Sequence, residues 1–375
     1  EGHFADCVHI EGPQKFAKKS PSSKSSRSSN SSSGSSGSGF FVTNRGHIIT
    51  NYHVIENCRS VPQIKYKDQD VKAKIIAKDK ILDLALLKAN LLNTKYVTLS
   101  KDQPKKLQRI IASGYPFGKY ISDDLKFTSG IISSLKGPND DSTLVQVDAA
   151  LNPGNSGGPV IVDQQIVGVV MQANAGGRAE NLGYFVPPNI VRHVLKDSED
   201  GKLDGFPDLG FRTQALDSPS AKAAYGLDRD ENGVLVIKVF KGSPADGVLQ
   251  ENDVILKIDD YDIADDGTIQ ISQDILTDYK HVIDMHHLHD QIELTFSRGG
   301  NLIQTSILAM QSRTGYSLVR GERFDETPQY YIFGGIVFVP LNMNLIKRWG
   351  NDWARTAPVS LLQARNEWAT PEKRE

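Results

Sequence analysis

The chain is poor in cysteine, in uninterrupted apolar sequence and in net charge, and each shortage removes a class of protein. Two cysteines, Cys7 and Cys58, permit one disulfide at most, which excludes a disulfide-framed scaffold; we expect two free thiols. No apolar run is long enough to cross a bilayer, so no membrane span is expected. The first residue is Glu1 and no basic segment leads into an apolar one, so any secretory signal is expected to have been removed already. Net charge is only −2, although residues 1–196 hold 25 Lys+Arg against 16 Asp+Glu and residues 197–375 hold 18 against 29, so the two parts can attract each other. The basic residues are scattered without interleaved aromatics, which argues against a nucleic-acid partner. Cofactors and metals are not expected either: the histidines at 281, 286, 287 and 289 lack a repeated ligand spacing and read as surface residues.

What is present begins with a serine- and glycine-rich segment, residues 18–39, which is too polar to order itself and reads as a flexible loop. From residue 40 to about 191 come short β-branched runs divided by Gly, Asn, Asp and Pro, the pattern of an all-β barrel or sandwich. "NIVRHVLKD" (189–197) has helical spacing and would close this domain, giving it residues 1–197. A polar stretch around 198–207 then separates it from a unit of binding-module size at 207–311. Residues 312–375 hold one strong strand, "QYYIFGGIVFVPL" (329–341), a helix at 357–369, and the beginning of a further domain.

A serine hydroxyl becomes nucleophilic only when a base takes its proton, and the base needs a third group to fix its tautomer. "LNPGNSGGP" (151–159) offers Ser156, "ITNYHVIENC" offers His53 just after an apolar strand, and "ILDLALLK" offers Asp83 at the head of another. Although "GNSGG" also fits the G-x-S-x-G elbow of α/β-hydrolases, that elbow leads into a helix and has its histidine downstream. Here strands follow the serine and the order is His, Asp, Ser, which is the order of chymotrypsin-like double β-barrels. Gly154, Asn155 and Ser156 are the expected oxyanion turn, with the N–H groups of Gly154 and Ser156 as donors. Gly157 and Gly158 are expected to clear the backbone for substrate.

The motifs "GSGFFV", "GHIITNYHVIENC", "LDLALLK", "SGYPFG", "FTSGIIS", "VQVDAALNPGNSGGPV" and "LGYFVPP" together resemble the protease domain of the HtrA/Deg family over nearly all of residues 38–190. The resemblance implies a mainly β protein: a chymotrypsin-like double β-barrel, then a PDZ domain, then the start of a second, degenerate PDZ-like domain. It also implies an ATP-independent endoprotease for unfolded or damaged proteins with His53, Asp83 and Ser156 as its triad. Segment 18–39 would be the long loop that family members use in assembly. By matching position, Leu151, Met171, Gln172, Ala173 and Asn174 would line a pocket suited to a small or medium aliphatic residue. Leu209, Gly210 and Phe211, ahead of "GSPADGVLQENDVILKID", would receive a peptide C-terminus on backbone N–H groups, with the next strand pairing to the peptide. The implied partners are unfolded chains, peptide C-termini and further copies of the chain, as a homotrimer or a multiple of trimers. In layout the chain is similar to plant nuclear Deg proteases and their bacterial relatives; an extracytoplasmic location is expected, with a nuclear or organellar one as the alternative. The competing function is a non-proteolytic holdase or PDZ adaptor on a protease scaffold.

Overall fold

A computed structural model describes residues 7–11, 36–56, 61–67, 69–92, 94–115, 124–138, 141–171, 182–201, 203–272, 275–310, 318–319, 321–322, 327, 329–350 and 352–366. Cys58 and most of the serine-rich segment lie outside these, as does the side chain of Cys7. The chain divides into two compact units, residues 1–203 and 204–375.

In the first unit the aliphatic runs pair into two closed six-stranded barrels, which leave no strand edge exposed. Barrel one comprises β1 (Cys7–Glu11), β2 (Ser36–Phe41), β3 (His47–Thr50), β4 (Gln63–Tyr66), β5 (Gln69–Asp79) and β6 (Leu84–Ala89) in the order β1-β2-β3-β6-β5-β4. Phe41, Ile48, Val54, Ile64 and Leu87 fill it. The end of the expected flexible loop is therefore ordered: residues 36–39 belong to β2, because hydrogen bonding to β1 and neighbouring loops compensates for their lack of apolar side chains. A four-residue helix, α1 (Tyr52–Ile55), follows β3.

Barrel two holds β7 (Arg109–Gly114), β8 (Lys126–Ser134), β9 (Val145–Val147), β10 (Pro159–Val162), β11 (Gln165–Met171) and β12 (Gly183–Val186) around Ile110, Ile132, Val160, Val170 and Phe185. The loop bearing Ser156 joins β9 to β10. Helix α2 (Pro188–Asp197) lies where its spacing predicts, with proline at its first position and Ile190, Val191 and Val194 buried.

The second unit contains β13 (Phe211–Ala215), α3 (Pro219–Ala224), β14 (Val234–Val239), β15 (Val254–Ile258), β16 (Tyr261–Asp262), β17 (Thr268–Ser272), β18 (Ile275–Asp278), α4 (Lys280–Asp284), β19 (Gln291–Arg298) and β20 (Asn301–Leu308). Its sheet runs β13-β14-β15-β19-β20, so β13 is an edge strand. Val236, Ile255, Leu294 and Phe296 anchor the core.

The single strand expected at 329–341 is instead a hairpin of β21 (Tyr331–Phe333) and β22 (Ile336–Phe338). Gly334 and Gly335, at φ +57° and +81°, supply the two positive-φ positions that a tight two-residue turn needs. Short helices α5 (Met343–Ile346), α6 (Trp353–Thr356) and α7 (Val359–Asn366) follow; Ile346 and Ala357 pack with Val319, and the last residues of the expected 357–369 helix lie outside the description.

The histidine-rich segment departs from a purely exposed reading. His281 is half-buried, and burial pushes its pKa down, while His286 Nε2 meets Asp259 Oδ2 at 2.7 Å.

Candidate active site

Asp83 immediately precedes β6 in the left-handed region, at φ +53°, where a short polar side chain is tolerated far better than a branched one. That turn aims its carboxylate at α1. Oδ2 lies 2.7 Å from His53 Nδ1, while Oδ1 accepts the backbone N–H of His53 at 2.9 Å. A carboxylate only accepts, so Nδ1 carries the hydrogen and Nε2 is the nitrogen able to take a proton. The Asp83 side chain is 12% exposed and that of His53 41%, so the imidazole is accessible and the carboxylate that orients it is sheltered. The backbone is tied as well: Asp83 O accepts Tyr52 N–H at 3.1 Å and Asn51 Nδ2 at 2.8 Å. Asn51, fully buried, was not singled out from the sequence; its place two residues before the histidine was the available signal.

Ser156 is 2% exposed, and its Oγ has no hydrogen-bond partner among the described residues. Its loop abuts the strand end that leads to His53: a Cβ on Gly157 would lie 2.1 Å from Ser38 O, 2.4 Å from Thr50 Oγ1 and 3.1 Å from Asn51 N. A Cβ on Gly158 would lie 2.0 Å from Ser113 O. The room that these two glycines leave is thus filled by the protein's own strands, and close packing, rather than passage of substrate, is what demands them.

In the turn itself, Asn155 N–H donates to Asn152 O at 3.0 Å, so it is already engaged. The N–H groups of Gly154 and Ser156, in a buried loop, have no acceptor among the described residues, which leaves these two as the available donors beside the serine. Two unspent donors next to a buried hydroxyl, with an oriented imidazole on the adjoining element, can stabilise an oxyanion formed by attack on a carbonyl.

A trypsin-like peptidase domain profile matches residues 37–169, and PDZ domain profiles match 207–308 and 319–375. Protease Do-like 2, chloroplastic, of Arabidopsis thaliana is 31% identical over 327 residues, 82% of this chain and 51% of the relative. The chain belongs to the HtrA/Deg family of serine proteases. A probable periplasmic serine endoprotease DegP-like of Chlamydia muridarum is 36% identical over 231 residues, 58% of this chain and 44% of the relative. This HtrA/Deg chain thus spans about half the length of those curated relatives. A solved structure described as HtrA-type protease AlgW with tripeptide shares the fold, at 23% identity and a TM-score of 0.59, over 82% of this chain and 93% of that one. No helix among the described residues is long and apolar enough to cross a membrane.

Of the pocket residues that the HtrA/Deg resemblance supplied, Leu151 is half-buried and Met171 ends β11 opposite Tyr184, whereas Gln172, Ala173 and Asn174 lie outside the described residues. Gly183 completes the Leu151 side: a Cβ there would sit 2.6 Å from Leu151 Cδ1, so the glycine lets the isobutyl group settle against β12. In the PDZ domain, Leu209 and Phe211 are buried in the core, and Gly210 takes φ +78° with its N–H held by Asp208 Oδ1 at 2.8 Å. Tyr279, just ahead of α4, stacks on Phe211 and meets Thr213 Oγ1 of β13 with its hydroxyl at 2.8 Å; burial raises the phenol's pKa.

Proposed function

We propose that the chain is an ATP-independent serine endopeptidase acting on unfolded or damaged polypeptides, with His53, Asp83 and Ser156 as its triad. The observation that carries this reading is the two-point hold of Asp83 on His53, at 2.7 and 2.9 Å, beside a serine loop with two unspent N–H groups. Ser156 Oγ attacks the substrate carbonyl while His53 Nε2 takes its proton. Asp83 keeps the imidazole in the required tautomer and stabilises the imidazolium. The oxyanion rests on the N–H groups of Gly154 and Ser156, the amine leaves with the proton from His53, and water then releases the acyl group through the same base.

Leu151 and residues 171–174 receive a small or medium aliphatic side chain. Residues 1–197 form the protease domain, 207–311 the PDZ domain and 312–375 a second PDZ region. Peptide C-termini bind at Leu209, Gly210 and Phe211 and pair with the free edge of β13, and this binding regulates the protease. The working assembly is a trimer or a multiple of trimers. Its compartment is extracytoplasmic, with a nuclear or organellar one as the alternative; the periplasmic and chloroplastic names of relatives support the extracytoplasmic and organellar locations.

Fluorophosphonate labelling tests the reading. With an unfolded casein-type substrate and a PDZ-ligand peptide present, the wild type is labelled at Ser156 and cleaves the substrate, and Ser156→Ala does neither. Labelling no greater than in Ser156→Ala would leave the holdase as the function.

A further inference from the structure

Ser38 comes from the serine- and glycine-rich run, yet it is completely buried and its bonds reach three separate segments. Its N–H donates to Ser156 O at 2.8 Å, and its carbonyl accepts Thr50 Oγ1 at 2.7 Å. Its hydroxyl accepts Tyr115 N–H at 2.9 Å and donates to Gly154 O at 2.6 Å. With one lone pair engaged by Tyr115, the single hydroxyl proton is directed at Gly154.

That carbonyl belongs to the peptide joining Gly154 to Asn155. The opposite end of the same peptide, Asn155 N–H, is held by Asn152 O at 3.0 Å. The plane is thereby clamped at both poles, and the N–H groups of Gly154 and Ser156 stand on either side of it. Gly154 needs such a clamp, because at φ +103° it occupies a region that glycine enters freely and leaves as freely.

We propose that Ser38 is a positioning residue whose hydroxyl fixes the Gly154–Asn155 peptide so that the N–H groups of Gly154 and Ser156 converge on the oxyanion. The assignment rests on the protease reading above. Without the hydroxyl, Gly154 O is left buried and unsatisfied, and rotating the peptide toward water relieves that cost while turning the donors apart. The backbone bonds of Ser38 to Ser156 and Thr50 do not involve the hydroxyl, so they persist in Ser38→Ala and separate positioning from general packing.

The test compares wild type, Ser38→Ala and Ser38→Cys in the full chain, reading kcat, KM, thermal midpoint and inhibition by a peptide boronate whose tetrahedral adduct places an oxygen in the hole. Ser38→Cys keeps a side chain of similar size with a weak donor, which guards against a folding defect in the alanine variant. Loss of a single oxyanion donor costs about 10²–10³-fold in kcat, so displacing donors indirectly is expected to cost roughly 10–100-fold. KM stays within about twofold, boronate affinity falls in parallel with kcat, and Ser38→Cys lies between the other two. Thr94→Val removes another hydroxyl bond of the first unit, to Thr43 O, and lowers the midpoint with kcat and boronate affinity retained. Ser38 variants with unchanged kcat and boronate affinity overturn the assignment, as does a loss in Thr94→Val that tracks stability equally. A wild type not labelled at Ser156 overturns the protease reading and this assignment with it; a labelled wild type beside unaffected Ser38 variants overturns the assignment alone.

Discussion

Replacing Asp83 with asparagine changes one atom and, in this geometry, inverts the base. One carboxylate oxygen accepts the backbone N–H of His53 at 2.9 Å and the other faces His53 Nδ1 at 2.7 Å. An asparagine amide has one acceptor, and the backbone N–H cannot move, so the amide oxygen must take the Oδ1 place and the NH₂ must face Nδ1. The imidazole then presents its lone pair at Nδ1 and its hydrogen at Nε2, where it cannot accept the serine proton. The fall expected is about 10⁴-fold in kcat, the size this exchange has in triads of the same design, and corresponds to about 5 kcal/mol of transition-state stabilisation. Steady-state hydrolysis of a chromogenic peptide measures the loss, and imidazole ¹⁵N shifts report the tautomer. The side chain is sheltered but isosteric, so thermal unfolding should change little. A variant within tenfold of wild type, or one retaining the Nδ1–H tautomer, would refute the account of Asp83.

Gly157→Ala places a Cβ 2.1 Å from Ser38 O at φ +83°. Left-handed strain and overpacking together cost about 2–5 kcal/mol, which lowers the thermal midpoint of the protease domain by several degrees; an unshifted midpoint contradicts the packing role. His281 gives a pH dependence of known sign. Burial holds its pKa below the ordinary value, so the unfolded chain binds the proton first as pH falls through about 6.5, and the second unit loses stability on acidification. Urea unfolding at pH 7.5 and 5.5 should show a smaller difference in His281→Leu than in wild type; equal differences would dismiss this histidine as a source of the slope.

Much of the site was legible before any coordinate because its signals are local. His53 follows an apolar strand, Asp83 begins one, and Ser156 sits in a glycine turn flanked by strands on both sides, which is enough to reject the α/β-hydrolase elbow. The hairpin at 331–338 was misread as one strand because its apolar run is interrupted only by Gly334 and Gly335, whose φ angles, not their hydropathy, turn the chain. Asn51 leaves no mark of its own in the sequence because a lone asparagine has no pattern, although its amide fastens Asp83 from 32 positions away. The half-burial of His281 is not legible in sequence, because composition says nothing of which side of α4 it occupies.

The sequence by itself determined the strand-rich protease domain, the His, Asp, Ser order and the domains that follow. These depend on hydrophobic period and turn chemistry, which short windows of residues express. Only the tertiary structure decided which N–H groups near Ser156 are unspent, why Gly157 and Gly158 are glycine, and that the Ser38 hydroxyl meets Gly154 O. The Ser38–Gly154 bond joins residues 116 positions apart, and no local composition encodes a contact that exists only once two barrels have closed against each other.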